Sequence, residues 1–177
     1  MRTVCAILAL TGIVSPLPAT TLIQLSMTDL IQKSTSIERV QVTSSWTALQ
    51  GGTIYTYYQL QVIETLKPGG ALITQVAVPG GVAGGVRQSV AGAPSLTTGG
   101  QYVIFLWTGR SGLTQVIGLS QGLFSVGQDA SGNPVLVRSG ATSMVLDNSG
   151  NVVNDQGVTI SLSALKSQIQ QLLGAGN

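Results

Sequence analysis

The sequence predicts a mainly β domain, antiparallel and either barrel-like (OB-like) or a sandwich, with a short N-terminal helix and an amphipathic helix at the C-terminus. Three observations carry that expectation. Tyr102, Val103, Ile104, Phe105, Leu106 and Trp107 are six consecutive apolar or aromatic residues between Gly99–Gly100 and Thr108–Gly109. Such a run leaves no solvent face, so it reads as a central strand covered on both sides. Around Val40–Val42 and from Ile54 to Val62, one face of an extended chain is mostly apolar and the other mostly polar, the period-two mark of strands with one wet face. Finally, charged residues make up 8% of the chain against about 25% in ordinary soluble domains. So few charges leave little to guard an exposed strand edge, which favours closure of the sheet.

Residues 1–19 read as a secretory leader. Arg2 supplies the basic start, Val4 to Val14 an apolar stretch of secretory length, and Ser15 to Ala19 a helix-breaking segment with a small residue for the peptidase. The stretch is too short for a permanent bilayer anchor. Residues 20–177 form a single domain on length. Its first element is a helix over about 26–33: Ser26 and Asp29 make a capping box, and Leu25 with Leu30 a hydrophobic staple. A β core over about 37–128 follows. Strands are expected from Glu38, over Ile54–Leu66 after the Gln50–Gly51–Gly52 turn, and over Leu72–Val78 after Lys67–Pro68–Gly69–Gly70. Pro79 to Gly100 is glycine-rich and carries one charge, Arg87; a connection of that length with no structure is unusual, so a short strand over Val86–Val90 is expected within it. Beyond the central strand come Thr114–Leu119 and Leu123–Val126. Two similar turns, Asp129–Asn133 and Asp147–Asn151, then mark successive tips of a meander over about 129–160. The last helix covers about 162–173, with Ser161 as cap, Leu162, Leu165, Ile169 and Leu172 as its apolar stripe and Gly174 as its end.

Chemistry is limited by what the chain lacks. There is no histidine, and the single cysteine, Cys5, falls inside the leader. An exported domain must then hold together without disulfides, and metal sites built on His or Cys are excluded. Eight basic residues against six acidic ones cannot assemble a basic patch, so nucleic acid is not an expected partner. Gly118-Leu119-Ser120-Gln121-Gly122 has the spacing of a hydrolase nucleophile elbow, but that motif needs a helix afterwards and a histidine base; a bent strand explains the glycines better. Ser163 and Lys166 have the Ser-x-x-Lys spacing of penicillin-recognising enzymes without the companion segments, and read as one face of a capped helix. Glu64 is the one carboxylate to inspect for glycosidase-type work, with no partner to name. Asp147, Asn148, Ser149, Asn151 and Asp155 are oxygen donors of the kind calcium prefers, yet the Asp-x-Ser-Gly-Asn pattern is ordinary turn chemistry. No catalytic residue, cofactor or metal is therefore expected. Gly80, Gly81, Gly84, Gly85, Arg87 and Gln88 are taken as a candidate binding loop; their spacing fits no phosphate-cradling motif.

Val40 and Val42, the strand from Tyr58 ending Val62-Ile63-Glu64-Thr65-Leu66-Lys67, and the Gly99-Gly100-Gln101-Tyr102-Val103 entry to an apolar strand resemble uncharacterised secreted bacterial β-domain proteins. Over residues 37–107 this order is also similar to the netrin-like domains of metalloproteinase inhibitors, which are OB-type barrels. The resemblance implies a barrel. It does not imply inhibition, because the chain has no N-terminal cysteine to chelate zinc, and Lys67–Pro68 replaces the Lys-Gly of that group. The expected function is that of an exported noncatalytic binding module of the cell envelope or extracellular space, with a protein or envelope component as partner. The alternatives are an assembly subunit of an extracellular matrix or surface polymer and, ranked last, a hydrolase using Ser120 or a lone carboxylate.

Overall fold

The computed structural model describes residues 21–141 and 143–174; the leader expected over 1–19 lies outside them. The described chain is mainly β, with largely antiparallel sheets and two helices. Its strands are β1 (Thr21–Ile23), β2 (Ser36–Gln50), β3 (Thr53–Thr65), β4 (Gln75–Pro79), β5 (Gly81–Ala83), β6 (Val86–Gln88), β7 (Gln101–Thr108), β8 (Thr114–Val116), β9 (Leu123–Gln128), β10 (Pro134–Arg138), β11 (Met144–Leu146), β12 (Val152–Val153) and β13 (Val158–Ser161).

Eight of these strands form one sheet in the order β13-β10-β9-β7-β2-β3-β4, with β8 also paired to β7. The apolar run is its centre: β7 is hydrogen-bonded to β2, β8 and β9, and Tyr102 to Leu106 are buried. Its side chains alternate between two cores. Val103 and Phe105 face one that also holds Ile37, Phe124, Leu136 and the helix residues Leu30, Ile31, Leu165 and Ile169. Tyr102, Ile104 and Leu106 face the other, filled by Val40, Val42, Tyr58, Leu60, Val76, Val78 and Val116. Covering on both faces thus ends at Leu106, for Trp107 is 46% exposed although it is still paired with Gln115 of β8.

The helices fall where their sequence signals place them. α1 (Met27–Lys33) starts at the Ser26–Asp29 capping box, and its carboxylate is held at about 2 by Lys33 and Ser26. Its C-terminal end is closed from outside: the Lys67 ammonium donates to the carbonyls of Ile31, Gln32 and Ser34, where the helix dipole favours a cation. Burial at that spot pulls the Lys67 pKa below its ordinary value. α2 (Leu162–Gly174) is capped by the Ser161 hydroxyl accepting from the Ala164 N–H, and it buries Leu162, Leu165 and Ile169 against the sheet.

Four expectations change. The main sheet does not close among the described residues: β8 lies beside β4 without pairing to it. The second aspartate turn is not a tip of the same meander, because β11 and β12 leave the main sheet and form a small one with β1, which runs parallel to β11. The strand expected over Leu72–Val78 begins only at Gln75. That expected over Thr114–Leu119 stops at Val116, ahead of a 3-10 turn over Leu119–Gly122.

Candidate binding cleft

The Gly51–Gly52 turn between β2 and β3 and the glycine-rich segment that follows β4 meet at one end of the molecule. β2 and β3 form a long hairpin whose turn is the two residues Gly51 and Gly52, at φ +58° and +80°. These are the left-handed values a two-residue hairpin turn demands and glycine alone adopts freely. Between Pro79 and Gly100, the strand expected over Val86–Val90 is present as β6, ending at Gln88, and forms one arm of a small hairpin with β5 that turns at Gly84–Gly85.

This hairpin is laid across the inner face of the β2–β3 tip and pinned there. The Gly80 N–H donates to the Ile54 carbonyl at 2.7 Å, and the Ile54 N–H donates to the Gln88 side-chain oxygen at 2.6 Å. The hydroxyls of Thr56 and Thr47 donate to the carbonyls of Gly80 and Val82. Gly81 sits at the crossing: at φ +136°, a Cβ there would come within 2.7 Å of the Thr56 hydroxyl and 2.9 Å of a Thr47 methyl. Close approach of two backbones is what selects glycine at this position.

Between the two hairpin tips lies an open cleft of about 400 Å³, lined by Leu49, Ile54, Ala83 and Val86 with Arg87 and Gln88 at its side. Leu49 is 66% exposed and Val86 61%, the most exposed apolar side chains at this end. Arg87 is exposed and has no acidic partner among the described residues. On the opposite face of the same hairpin, Trp46 stacks on Tyr57 with ring centroids 5.6 Å apart, and Tyr55 lies tilted beside Tyr57.

No family model matches this chain, and no curated protein or solved structure matches it.

All six residues of the candidate loop therefore belong to one structure, though in different roles. Gly80 and Gly81 carry the crossing, Gly84 and Gly85 the tip, Gln88 the pinning, and Arg87 is the free charge. The oxygen donors proposed for calcium are divided. Asp147 accepts from the N–H groups of Ser149 and Asn151 and from the Asn151 side chain, which holds its carboxyl below the usual range. Asp155 is buried in a forked pair with Arg138 and also accepts from the Ala141 N–H, with the same direction of shift caused first by Arg138. Asp147, Asn148 and Asp155 border one open cavity, but both carboxylates are spent on internal donors. Among the described residues no three His, Cys, Asp or Glu side chains cluster as a metal site.

The other catalytic spacings also dissolve into structure. Ser120 is half-buried in the 3-10 turn and is followed by β9, where an elbow needs a helix; the side chain after it, Gln121, is buried and clamps the N-terminal segment at Ile23 and Leu25. Lys166 pairs with Glu64 at 2.6 Å, and the Ser163 hydroxyl lies 3.1 Å from that of Ser161. The lysine singled out by spacing and the carboxylate marked for inspection thus face each other across α2 and β3.

The residues sequence reasoning missed are Leu49, Trp46 and Val86. Only Leu49 and Val86 carried a signal, as apolar side chains next to glycine turns; nothing in the sequence near Trp46 marked it.

Proposed function

We infer that this protein is a noncatalytic binding module working outside the cytoplasm, and that the cleft between the two hairpin tips receives an apolar portion of its partner. The observation that carries the reading is the pair Leu49 and Val86. Two large aliphatic side chains are held more than half exposed on either side of a concavity, apart from the two buried cores. Concave apolar surface with one or two polar groups at its side is the usual composition of a binding site. Arg87 adds a preference for an anionic group beside the apolar one. Export is supported by the leader pattern in residues 1–19. The curl that brings β8 beside β4, around a core contributed by β2, β3, β4, β7 and β8, supports reading this half as barrel-like.

A naphthalene sulfonate dye, apolar with one anionic group, is a suitable probe of the cleft. Its fluorescence titration should show saturable binding, weakened about tenfold or more by Leu49→Asp, the scale set by one buried leucine side chain. Arg87→Glu should weaken it less. Equal titrations for all three proteins would remove the cleft as the site.

A further inference from the structure

We propose that β2 is a self-pairing edge: two copies of this chain join through residues Thr43–Gln50 as antiparallel neighbours, making one continuous sheet across a two-fold axis. Over Ser36–Gln41, β2 is hydrogen-bonded to β7, and Val42 exchanges bonds with Gly99 and Gly100. Beyond Val42 that side is open. From Ser44 to Gln50 the strand keeps its partner β3 and has no backbone ladder on its other side among the described residues.

Which groups face outward follows from the register. Gln50 and Thr53 flank a two-residue turn and so form a hydrogen-bonded pair, which makes Ala48, Trp46 and Ser44 the residues bonded to β3. The N–H and C=O groups of Ser45, Thr47 and Leu49 then point away from the molecule. The bulge at Thr43 is consistent with this, since it shifts the alternation by one from Val42, whose groups face the β7 side.

Natural edges carry guards, and beyond the bulge at Thr43 this one has none. Thr43–Gln50 contains no charge, proline or glycine, and seven of its eight residues are exposed. The other ends of the sheet are protected: β4 stops at Pro79 and has β8 alongside, and β13 has α2 packed next to it. The occupant is a second copy because the segment complements itself. With Thr47 opposite Thr47 of the second copy, Ser45 pairs with Leu49 and their outward groups exchange hydrogen bonds. Trp46 then stands directly opposite Ala48 of the second copy, a large side chain beside a small one, on the face where it already stacks on Tyr57. The uncharged segments bring no like charges together, and the same patch serves both copies, as a closed two-fold dimer requires.

The chain as the cell processes it, studied by sedimentation velocity over a concentration series, should show a monomer–dimer equilibrium. Amide exchange at high concentration should slow selectively at Ser45, Thr47 and Leu49, while Trp46 and Ala48 are protected at every concentration by β3. Ser45→Lys should weaken association about tenfold or more by placing a charge on the edge, and Ser45→Ala should leave it intact. In dilute solution, where the chain is monomeric, neither change should alter the dye titration at the cleft, so a failure here is separable from a failure there. A monomer throughout the series, a dimer whose three edge amides stay fast, or protection that appears only with an added extended peptide of another sequence would overturn the proposal.

Discussion

The two halves of β2 belong to one unbroken strand and live in different environments. Ser36–Val42 lies between β3 and β7, with Ser36, Ile37, Glu38, Val40 and Val42 buried, whereas Ser44–Gln50 pairs on one side only and is almost wholly exposed. The difference does not come from residue preference along the strand alone, because residues that favour strands occur in both halves, Ile37, Val40 and Val42 in one and Trp46 and Thr47 in the other. It comes from where the neighbour stops: β7 begins at Gln101, behind Gly99 and Gly100, and no strand takes its place. Burial in a sheet is set by the length of the partner, and the half left over is available for other contacts.

The largest expected effect tests that contrast directly. Ile37→Ala removes a fully buried side chain from the core shared with both helices, and should cost about 2–5 kcal/mol in urea unfolding. Trp46→Ala removes a larger side chain from the open half, which is 43% exposed, and should cost under about 1.5 kcal/mol, the range of an aromatic pair. Similar losses at the two positions would mean that the halves are not energetically distinct.

Next in size is the crossing that makes the cleft. Gly81→Ala would force a Cβ against Thr56 and Thr47 in a backbone conformation that side chains rarely adopt, with a cost of about 1–3 kcal/mol. Much of that loss should be local: β5 and β6 detach from the β2–β3 tip, and the Ile54 amide, bonded to Gln88 in the parent, becomes fast in hydrogen exchange. Unchanged protection at Ile54 would show that the glycine is not what permits the crossing.

Much of the architecture was legible because it rests on local rules. The Ser26–Asp29 cap, the stripe at Leu162, Leu165 and Ile169, and the central run at β7 each follow from spacing alone, and each stands where spacing puts it. Illegible features depend on partners distant in the chain. Nothing near Thr21 announces that it will lie parallel to Met144, and nothing near Asp155 that Arg138 will claim it. The candidate site was half legible: glycines and a lone arginine marked the β5–β6 hairpin, but the cleft exists only because Leu49, more than thirty residues earlier, is turned toward Val86. Alternation also could not reveal that β2 runs on to Gln50, since Ser44–Leu49 has too little apolar contrast between its faces.

The smallest expected effect lies in the covered half of β2 and is read through pH. Glu38 is fully buried; one carboxylate oxygen accepts from the Ser36 hydroxyl and the Ile73 N–H, and the other has no partner. Loss of hydration raises its pKa, and the two hydrogen bonds only partly oppose this. A raised value in the folded chain means the folded chain holds the proton more tightly than the unfolded one. The contribution to stability is thus fully present below the ordinary glutamate value of about 4.3, and is lost as pH rises from there through the folded value. Asp29, Asp129, Asp147 and Asp155 are shifted the other way and favour folding at higher pH, so the parent's melting curve alone cannot isolate Glu38. The difference between Glu38→Gln and the parent can. The amide keeps an oxygen for Ser36 and Ile73 and carries no charge, so the variant should melt higher than the parent at pH 7, with the gap narrowing toward pH 4. A gap that is constant with pH, or wider at pH 4, would mean that Glu38 is not a buried carboxylate held against its preference to stay neutral.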